Sequence, residues 1–253
     1  MKTAVRPIFR HYLAKRFIKK TVSNGGSVID IGSGRGDFSF WLAKKGYRVT
    51  SFEFSENSVM SFKKELEKLK NNKPELIDSD FLKYEGHFSA HAIVCFEVLE
   101  HIDDDYAAVS RMHDWMRENG TVIISVPAHM KMWNKDDEVV GHKRRYERSD
   151  LKKLFESSGF EVVYIVSYGF PWLNILKKIR EIQMKLKPPS YYKPKDGSYS
   201  EKGTKESGVG FFKTNIFLFV FNKFTFYPLY LVSKLFHKTD LSEGYFLVAK
   251  KIS

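Results

Sequence analysis

Cysteine is nearly absent from the sequence: Cys95 is the only one among 253 residues. A single thiol cannot close an internal disulfide, so nothing in the chain indicates an oxidising compartment. Long apolar runs are also missing. Lysines, an asparagine and a proline interrupt even the aromatic-rich stretch 211–236, well short of the roughly 20 apolar residues of a membrane-spanning helix. Residues 1–20 lack the apolar core of a secretory signal. We therefore expect a cytoplasmic protein without a transmembrane segment.

Acidic charge is scarce in one half of the chain only. Residues 131–253 hold 23 Lys+Arg against 13 Asp+Glu, whereas residues 1–130 hold 19 against 17. Seven of the cations in the first half lie within residues 1–20. The excess of positive charge can serve solubility alone, or it can meet an anionic partner such as phospholipid headgroups, a phosphorylated substrate or nucleic acid.

What the sequence does contain is a regular alternation of strand and helix patterns. Helical patterns separate the first five short β-rich runs, and a sixth strand follows a helix for which we expect Ser149 as N-cap and Gly159 as stop. The expected strands are 27–31, 48–54, 75–78, 91–96, 120–126, 160–166 and a closing strand 244–250; the expected helices include 38–45, 57–70 and 103–117. This order predicts an α/β fold with a doubly wound, mostly parallel sheet.

We divide the chain into four parts. Residues 1–24 form a basic helix with an apolar stripe at Phe9, Leu13 and Phe17, and residues 25–166 form the α/β core. Residues 167–242 are a largely helical, aromatic-rich insertion with a flexible loop at 187–210, and residues 243–253 return as the closing strand. The aromatic insertion can lie in an anionic membrane interface, or it can pack against protein, as a cap over the cleft of the core or as a dimer interface. The same two alternatives hold for the N-terminal stripe.

The stretch "DIGSGRG" carries the first functional signal. Gly32, Gly34 and Gly36 follow a strand and open a helix, where missing Cβ atoms let the backbone approach a ligand closely. Asp30 ends the strand, and a carboxylate there suits an ammonium group better than a pyrophosphate. A tight strand-to-helix corner is the alternative interpretation.

Two further acids follow neighbouring strands. Glu53 ends the second strand, 23 residues beyond Asp30, where an acid can accept both hydroxyls of a ribose. Asp80 follows the third strand and can accept from the exocyclic amine of an adenine, with Phe81 supplying backbone or stacking contacts. Together with Asp30 these residues indicate a site for a nucleoside that carries a cationic amino-acid tail, although strand-end acids are also common in solvent.

At this point the chain resembles a known family. The segments "VIDIGSGRG", "DSDF" and "IVCFEVLEHI", with Glu53 between the first two, look like the successive motifs of S-adenosylmethionine-dependent methyltransferases with the seven-stranded Rossmann-like fold. "EVLEHI" is similar to the ubiquinone-biosynthesis O-methyltransferases and related small-molecule enzymes. The resemblance implies a last strand that is antiparallel between the fifth and sixth, and S-adenosylmethionine as cofactor. It implies cofactor-binding residues at Asp30, Gly32, Ser33, Gly34, Gly36, Glu53, Asp80, Phe81, Phe96 and Glu97.

Two histidines are candidate catalytic bases for a hydroxyl acceptor. His101 follows the fourth strand at the carboxyl edge of the sheet, and His142 lies in the loop after the fifth strand. The favoured interpretation holds no metal, but Glu97, Glu100 and His101 form an E-x-x-E-H pattern that can alternatively gather a divalent cation. His101 can also be a structural residue bonded to the acids that follow it.

The loop 127–146 supplies candidate acceptor-binding residues. We expect Arg144 and Arg145 to clamp a phosphate or carboxylate on the acceptor, with Trp133 and Tyr146 beside them. The alternative is a self-contained network in which the acids of the same loop neutralise these cations.

The sequence therefore predicts a methyltransferase that acts on a small, hydrophobic or lipid-linked acceptor, with oxygen favoured as the methylated atom. An anionic membrane surface is a further candidate partner, and an oligomer is compatible with the chain. An RNA or tRNA methyltransferase is the alternative, but nucleic acid is not expected because "CFEVLEHI" stands where base methylases carry other motifs. A non-enzymatic nucleoside-binding protein and a nicotinamide dehydrogenase are weaker alternatives, given the intact acids and glycines.

Overall fold

A computed structural model describes residues 5–185 and 223–252 of the chain. Seven strands form one sheet in the order β3-β2-β1-β4-β5-β7-β6. Strand β7 is antiparallel to both of its neighbours, while β1 to β5 pair in parallel. The strands are β1 Ser27–Ile31, β2 Arg48–Glu53, β3 Glu75–Asp78, β4 Ala90–Phe96, β5 Met116–Pro127, β6 Phe160–Ser167 and β7 Gly244–Lys251. This topology confirms the predicted fold class.

Helices cover both faces of the sheet. They are α1 Val5–Thr21, α2 Asp37–Lys44, α3 Glu56–Glu67, α4 Asp105–Asp114, α5 Lys135–Val140, α6 Arg148–Ser157, α7 Trp172–Lys185 and α8 Lys223–Leu235, with short 3-10 turns at Leu99–His101 and Met130–Met132. The prediction of Ser149 as N-cap is wrong, because Glu147 occupies the N-cap position of α6, without a capping hydrogen bond from its side chain, and Ser149 lies inside the helix. The carboxylate of Glu147 is engaged elsewhere, by His129 Nδ1 and the Met130 N–H.

Two hydrophobic clusters lie on opposite sides of the sheet. One packs the apolar faces of α4 and α6 around Trp115, and the other packs α1, α2 and α8 against the other face. Strands buried on both faces read as nearly continuous apolar runs, as in β4 and β5. The second cluster therefore lies on the face of the sheet that α1 and α8 cover.

The apolar stripe of α1 packs inside the protein. Phe9 and Leu13 are buried, and Phe17 packs against the same cluster. The Phe9 ring meets the edge of the Phe226 ring on α8 at 5.0 Å between centroids, and Arg16 Nη1 donates to the Tyr230 hydroxyl at 3.1 Å. Of the two alternatives for this stripe, the cap over the core is the one that the structure contains.

The insertion is described only in part. The predicted flexible loop 187–210 and the first part of the aromatic stretch, up to residue 222, lie outside the described residues. Within 5–185 and 223–252, no helix has the length and apolar character needed to cross a bilayer. The cis peptide bond between Phe170 and Pro171 precedes α7.

Candidate functional site

The carboxyl ends of β1, β2 and β4 gather the predicted site at one edge of the sheet. Asp30 lies in register with Ser51 of β2 and with Val94 of β4, so the segments that follow these strands start side by side. Because open α/β sheets bind ligands at the carboxyl ends of their strands, this edge is the expected place for a cofactor.

The three glycines differ in what their missing Cβ atoms allow. All three have positive φ, at 67° for Gly32, 57° for Gly34 and 82° for Gly36. A Cβ on Gly32 would lie 2.3 Å from Val98 Cγ2, and one on Gly36 would lie 2.6 Å from the Phe62 ring, whereas a Cβ on Gly34 would meet nothing within 4 Å. Gly32 and Gly36 are therefore needed for packing, and Gly34 borders open space.

Glu53 is held against the glycine loop by backbone donors. Its Oε2 accepts the Gly34 N–H at 2.8 Å, and its Oε1 accepts the N–H groups of Phe54 and Ser55 at 3.0 and 2.9 Å. The side chain is buried although it is acidic. These donors orient the carboxylate beside the open space at Gly34.

Asp30 is buried at the end of β1. Ser39 Oγ of α2 donates to its Oδ2 at 2.5 Å, and Ser51 Oγ donates to Ser39 Oγ at 2.9 Å. Burial raises the pKa of Asp30 to about 7, against the opposing effect of the Ser39 hydrogen bond and the Arg10 charge. A cation that binds beside Asp30 favours its ionised form.

Arg10 of α1 lies at this edge of the sheet, a position that the sequence analysis did not predict. Its Nη1 lies 3.6 Å from Glu97 Oε1, and its guanidinium carbon lies 5.5 Å from the centre of the Phe96 ring. Glu97 has a positive φ of 58° and accepts from Ser125 Oγ at 2.8 Å. In a helix so rich in lysine and arginine, no local signal distinguishes Arg10 from its exposed neighbours.

The next residue, His11, packs against aromatic side chains at the same edge of the sheet. Its ring packs against Phe38 and Phe96, at 4.9 and 5.7 Å between centroids. Burial, reinforced by the neighbouring Arg10 charge, holds the pKa of His11 well below its ordinary value. A neutral histidine here supports a dry lining beside Phe96.

Asp80 and Phe81 follow β3 but behave differently from each other. Asp80 is half-buried and accepts the Leu82 N–H at 3.0 Å. The Phe81 ring turns into the core, edge-on to Trp115 at 6.2 Å, and is buried there. Of the two expected contacts of Phe81, stacking of its ring on a ligand is therefore wrong, because the ring packs in the core; the backbone contact stays a prediction.

Three side chains cluster where the turn after β4 meets the loop after β5. Glu100, His101 and His142 each place one ligand-type atom within 4.8 Å of the others. His142 Nε2 lies 3.7 Å from Glu100 Oε1, and the two imidazole rings meet at 4.9 Å. The E-x-x-E-H pattern indicated Glu97 as the third member, but Glu97 faces Ser125 and Arg10 instead.

The environments of the two histidines are defined by hydrogen bonds. His142 Nδ1 lies 2.7 Å from Asp137 Oδ1, and His101 Nδ1 lies 3.1 Å from the Gly141 carbonyl oxygen. Burial, with the His142 charge as the second cause, lowers the pKa of His101 to about 4. Burial alone would raise the pKa of Asp137, but its hydrogen bonds with His142 and Arg145 lower it to about 2.

The two arginines of the predicted acceptor clamp have partners within the protein. Arg145 is buried, with its guanidinium bonded to Asp137 Oδ1 and the Ala128 carbonyl oxygen. Arg144 Nη1 and the Tyr146 hydroxyl both lie 2.8 Å from Asp105 Oδ2. This corresponds to the alternative of a self-contained network, although Asp105 comes from α4 rather than from the loop.

Helix α7 lies over the same loop. Lys177 Nζ donates to the Met132 carbonyl oxygen at 2.5 Å, and Asn134 Nδ2 donates to Glu181 Oε1 at 2.8 Å. Trp133 lies between these two contacts in the chain and is partly buried. Sequence reasoning placed Trp133 near the acceptor but gave no sign of Lys177, because the contact spans 45 residues.

The fold and the three strand-end acids define a class, that of the Rossmann-like methyltransferases. The family profile described as a methyltransferase domain matches residues 8–165, which is more than half of the chain. The chain therefore belongs to the methyltransferase-domain family, whose enzymes of this class use S-adenosylmethionine as cofactor.

Known proteins resemble the chain at low identity. The probable (S)-tetrahydroprotoberberine N-methyltransferase 2 of Papaver bracteatum is 26% identical over 110 residues, which are 43% of this chain and 31% of that protein. The chain thus spans about a third of the length of the curated relatives it matches first.

Solved structures share the fold. Phosphoethanolamine N-methyltransferase 2 of Haemonchus contortus, in complex with S-adenosylmethionine, has a TM-score of 0.59 at 18% identity, over 96% of this chain and 53% of that one. The cyclase SpnF has a TM-score of 0.61 at 12% identity, over 96% and 80% of the two chains. Since a cyclase has this fold as well, the reaction has to be argued from the site.

Proposed function

We propose that this chain transfers a methyl group from S-adenosylmethionine to a small, hydrophobic or lipid-linked acceptor, at oxygen. The observation that carries the proposal is the pair of buried carboxylates, Asp30 and Glu53, beside the open space at Gly34. One suits the ammonium of a methionine tail and the other the hydroxyls of a ribose.

Polar atoms around the glycine loop fit such a ligand. Ser33 Oγ and Asp37 Oδ1 are buried and make no hydrogen bond with any residue that the structure describes. Buried polar atoms generally have partners, so the two atoms indicate a ligand that supplies them. Arg10 and Glu97 add one charge of each sign at the methionine end, where the tail carries a carboxylate and an ammonium.

Methyl transfer asks the protein mainly for orientation. S-adenosylmethionine, held by Asp30, Glu53 and the glycine loop, would supply a methyl group on a sulfonium, with the neutral thioether as the leaving group. Holding the methyl donor and the acceptor in line contributes roughly 7 to 11 kcal/mol to lowering the barrier. We assign this orienting role to two parts of the protein. Phe96 and His11 line the site and keep water away, and helix α7 lies over the loop after β5.

A hydroxyl acceptor has to lose its proton, and His142 is the better placed base. Its Nδ1 donates to the Asp137 carboxylate, which leaves the lone pair on Nε2, 3.7 Å from Glu100 Oε1. A pKa of about 4 makes His101 a weak base, since general bases act best with pKa values near the working pH. We therefore assign proton removal to His142 and a positioning role to His101.

An amine acceptor is the second candidate, because the first curated relatives are N-methyltransferases by name. A primary or secondary amine reacts as the free base and its methylated product can lose a proton, so His142 can serve such an acceptor as well as a hydroxyl. Methyl-labelled cofactor supplied to a lysate with the purified chain, followed by identification of the labelled product, distinguishes oxygen from nitrogen.

Calorimetry with S-adenosylhomocysteine tests the cofactor part of the proposal. We expect one site per chain, and no heat from NAD under the same conditions. Asp30→Ala and Glu53→Ala should each weaken binding, with Glu75→Ala as a control at an exposed acid of β3. Binding of NAD in preference to S-adenosylhomocysteine, or equal affinity in all three variants, would contradict the proposal.

A further inference from the structure

Glu100, His101 and His142 form a compact group of two imidazoles and one carboxylate. The carboxylate is fully buried, and the side chain of His142 is only 11% exposed. The ligand-type atoms lie within 4.8 Å of one another, and one pair is already at 3.7 Å. Ligand atoms of a tetrahedral cation with bonds of about 2.0 to 2.2 Å lie about 3.4 Å apart. Side-chain rotations that move these atoms by about 1 Å therefore suffice to form such a site.

A hydrogen bond at Nδ1 fixes the orientation of each imidazole ring. The Gly141 oxygen can only accept, so His101 Nδ1 carries the proton and its Nε2 keeps a lone pair. Asp137 Oδ1 likewise accepts from His142 Nδ1, so the lone pair of His142 is on Nε2, on the side of Glu100. A carbonyl or carboxylate behind each ring is the arrangement found at metal-binding histidines.

We propose that Glu100, His101 and His142 bind one divalent transition-metal ion, with Asp137 and the Gly141 carbonyl as the partners that orient the two rings. Two imidazoles and one carboxylate favour Zn²⁺, Co²⁺ or Fe²⁺ over Mg²⁺ and Ca²⁺, which prefer oxygen ligands alone. Three protein ligands leave at least one coordination position open.

The position of these three side chains in the fold indicates what a bound ion would do in the reaction. They lie between the turn after β4, which begins at Glu97, and the loop after β5, which ends near Tyr146. With the ion bound, His142 Nε2 is a ligand and no longer a base, and an ion with an open position there would itself polarise an acceptor hydroxyl and lower its pKa. His142 acts as the base only in the metal-free chain. The role of the ion in the reaction rests on the proposed function, whereas metal binding itself does not.

Cobalt titration of the full chain tests the proposal. The chain is purified without a histidine tag and treated with chelator, and Co²⁺ is added while its visible d–d absorption is recorded. We expect one tetrahedral or five-coordinate Co²⁺ per chain, displaced by an equivalent of Zn²⁺. Glu100→Gln, His101→Ala and His142→Ala should each weaken the binding at least about tenfold, as expected when a ligand is lost.

Control measurements separate this site from nonspecific binding and from unfolding. His87→Ala removes an exposed histidine outside the group and should leave the Co²⁺ spectrum unchanged. Saturating Co²⁺ should raise the melting temperature of the unsubstituted chain but not of the three variants. Calorimetry with S-adenosylhomocysteine in Glu100→Gln shows separately whether the cofactor end is intact. A featureless Co²⁺ titration, or equal affinity in the three variants and the parent, would overturn the metal site and leave the cofactor proposal standing.

Discussion

The two ends of the cleft are built in different ways. At the proposed cofactor end, Asp30 and Glu53 lie at the carboxyl ends of adjacent strands with the glycine loop between them. Apart from the contact of Arg10 with Glu97 at this end, the hydrogen bonds of the two strand-end carboxylates are to residues at most 19 positions away. At the acceptor end, contacts such as Lys177 with Met132 join segments that are far apart in sequence. The first end is therefore determined by local chain geometry, and the second by how distant helices pack.

This difference decides what a substitution does at each end. Near the glycine loop, a single Cβ or a single carboxylate changes the ligand site while the core stays intact. In the loop after β5, the charged side chains also hold the loop together, as the contacts of Arg145 with Asp137 show. Substitutions there are expected to change folding and binding at once.

The largest expected effect is at Gly34, compared with Gly32. Both residues have similar positive φ, so an alanine at either position adds about 1–2 kcal/mol of left-handed strain. Gly34→Ala places its Cβ in open space, where the cofactor would be, so we expect a loss of at least about hundredfold in S-adenosylhomocysteine affinity with a small change in stability. Calorimetry and urea unfolding measure the two quantities.

Gly32→Ala is the matched control for this substitution. Its Cβ would meet Val98 Cγ2 at 2.3 Å, and overpacking of this kind costs about 1–3 kcal/mol beyond the strain. We therefore expect Gly32→Ala to be the less stable of the two variants. Equal stability of the two, together with normal cofactor affinity in Gly34→Ala, would show that the space at Gly34 is not the cofactor site.

The positions of Asp30, the glycine loop and Glu53 at one edge of the sheet were predictable from sequence because their signals are local, whereas the approach of Arg10 was not. "DIGSGRG" marks a strand, a close backbone approach and a helix start within seven residues, and Glu53 falls where the next parallel strand must end. Seven strands were located to within a few residues for the same reason. The largest difference is at β5, which begins at Met116 rather than at Gly120 because its first residues pair with Ala90 through an irregular register.

The next prediction concerns the pH dependence of cofactor binding. Burial raises the pKa of Asp30 to about 7, and a bound ammonium needs the ionised carboxylate. Only the ionised fraction is competent, so the apparent affinity for S-adenosylhomocysteine should rise about tenfold from pH 6 to pH 8. Binding at pH 7 should release protons, which calorimetry in buffers of different ionisation enthalpy detects.

Asp30→Asn removes this titration and leaves that of the ligand's own amine. The variant should bind more weakly at pH 8, with a flatter pH profile. The same shift has a consequence for stability: the native chain holds a proton on Asp30 that the unfolded chain loses above its ordinary pKa. The free energy of unfolding should therefore fall as pH rises from about 4 to about 7, and less so in Asp30→Asn. Identical profiles for parent and variant would contradict the assignment.

A smaller effect is expected at Arg10, whose guanidinium lies beside Glu97 at the proposed cofactor end. Arg10→Met keeps much of the apolar stem but loses the partner of Glu97 and of the cofactor carboxylate. One charge-assisted contact contributes about 1 kcal/mol net, so affinity should fall about fivefold. Arg35→Met, on the glycine loop and without that contact, is the control, and equal losses in both variants would count against the role of Arg10.

The acceptor end was less predictable because residue type alone does not show which partner a charge meets. Arg144 and Arg145 have the chemistry of a phosphate clamp, yet Asp105 of α4 and Asp137 of α5 meet them inside the protein. Asp137 was foreseen as a partner because it is near in sequence, but Asp105 was not. His142 joins Glu100 and His101 only because the Lys143 N–H bonds to the Glu100 carbonyl oxygen and draws the loop to the turn after β4.

The smallest expected effect tests whether the acceptor end also faces lipid. One side of α8 packs on α1 through Phe226 and Tyr230, while Tyr227, Leu231 and Leu235 form an exposed stripe at every fourth residue, next to exposed Lys234.

An apolar stripe with a cationic rim favours an anionic bilayer interface. Leu235→Glu should therefore reduce sedimentation with phosphatidylserine vesicles about threefold at low salt, because an acid replaces an apolar contact beside anionic headgroups. Met60→Glu makes the same kind of change at an exposed position of α3, on a different helix, and should leave sedimentation unchanged. If the parent chain fails to sediment with these vesicles, the exposed stripe of α8 serves a contact other than lipid. The acceptor end then differs from the cofactor end in protein packing alone.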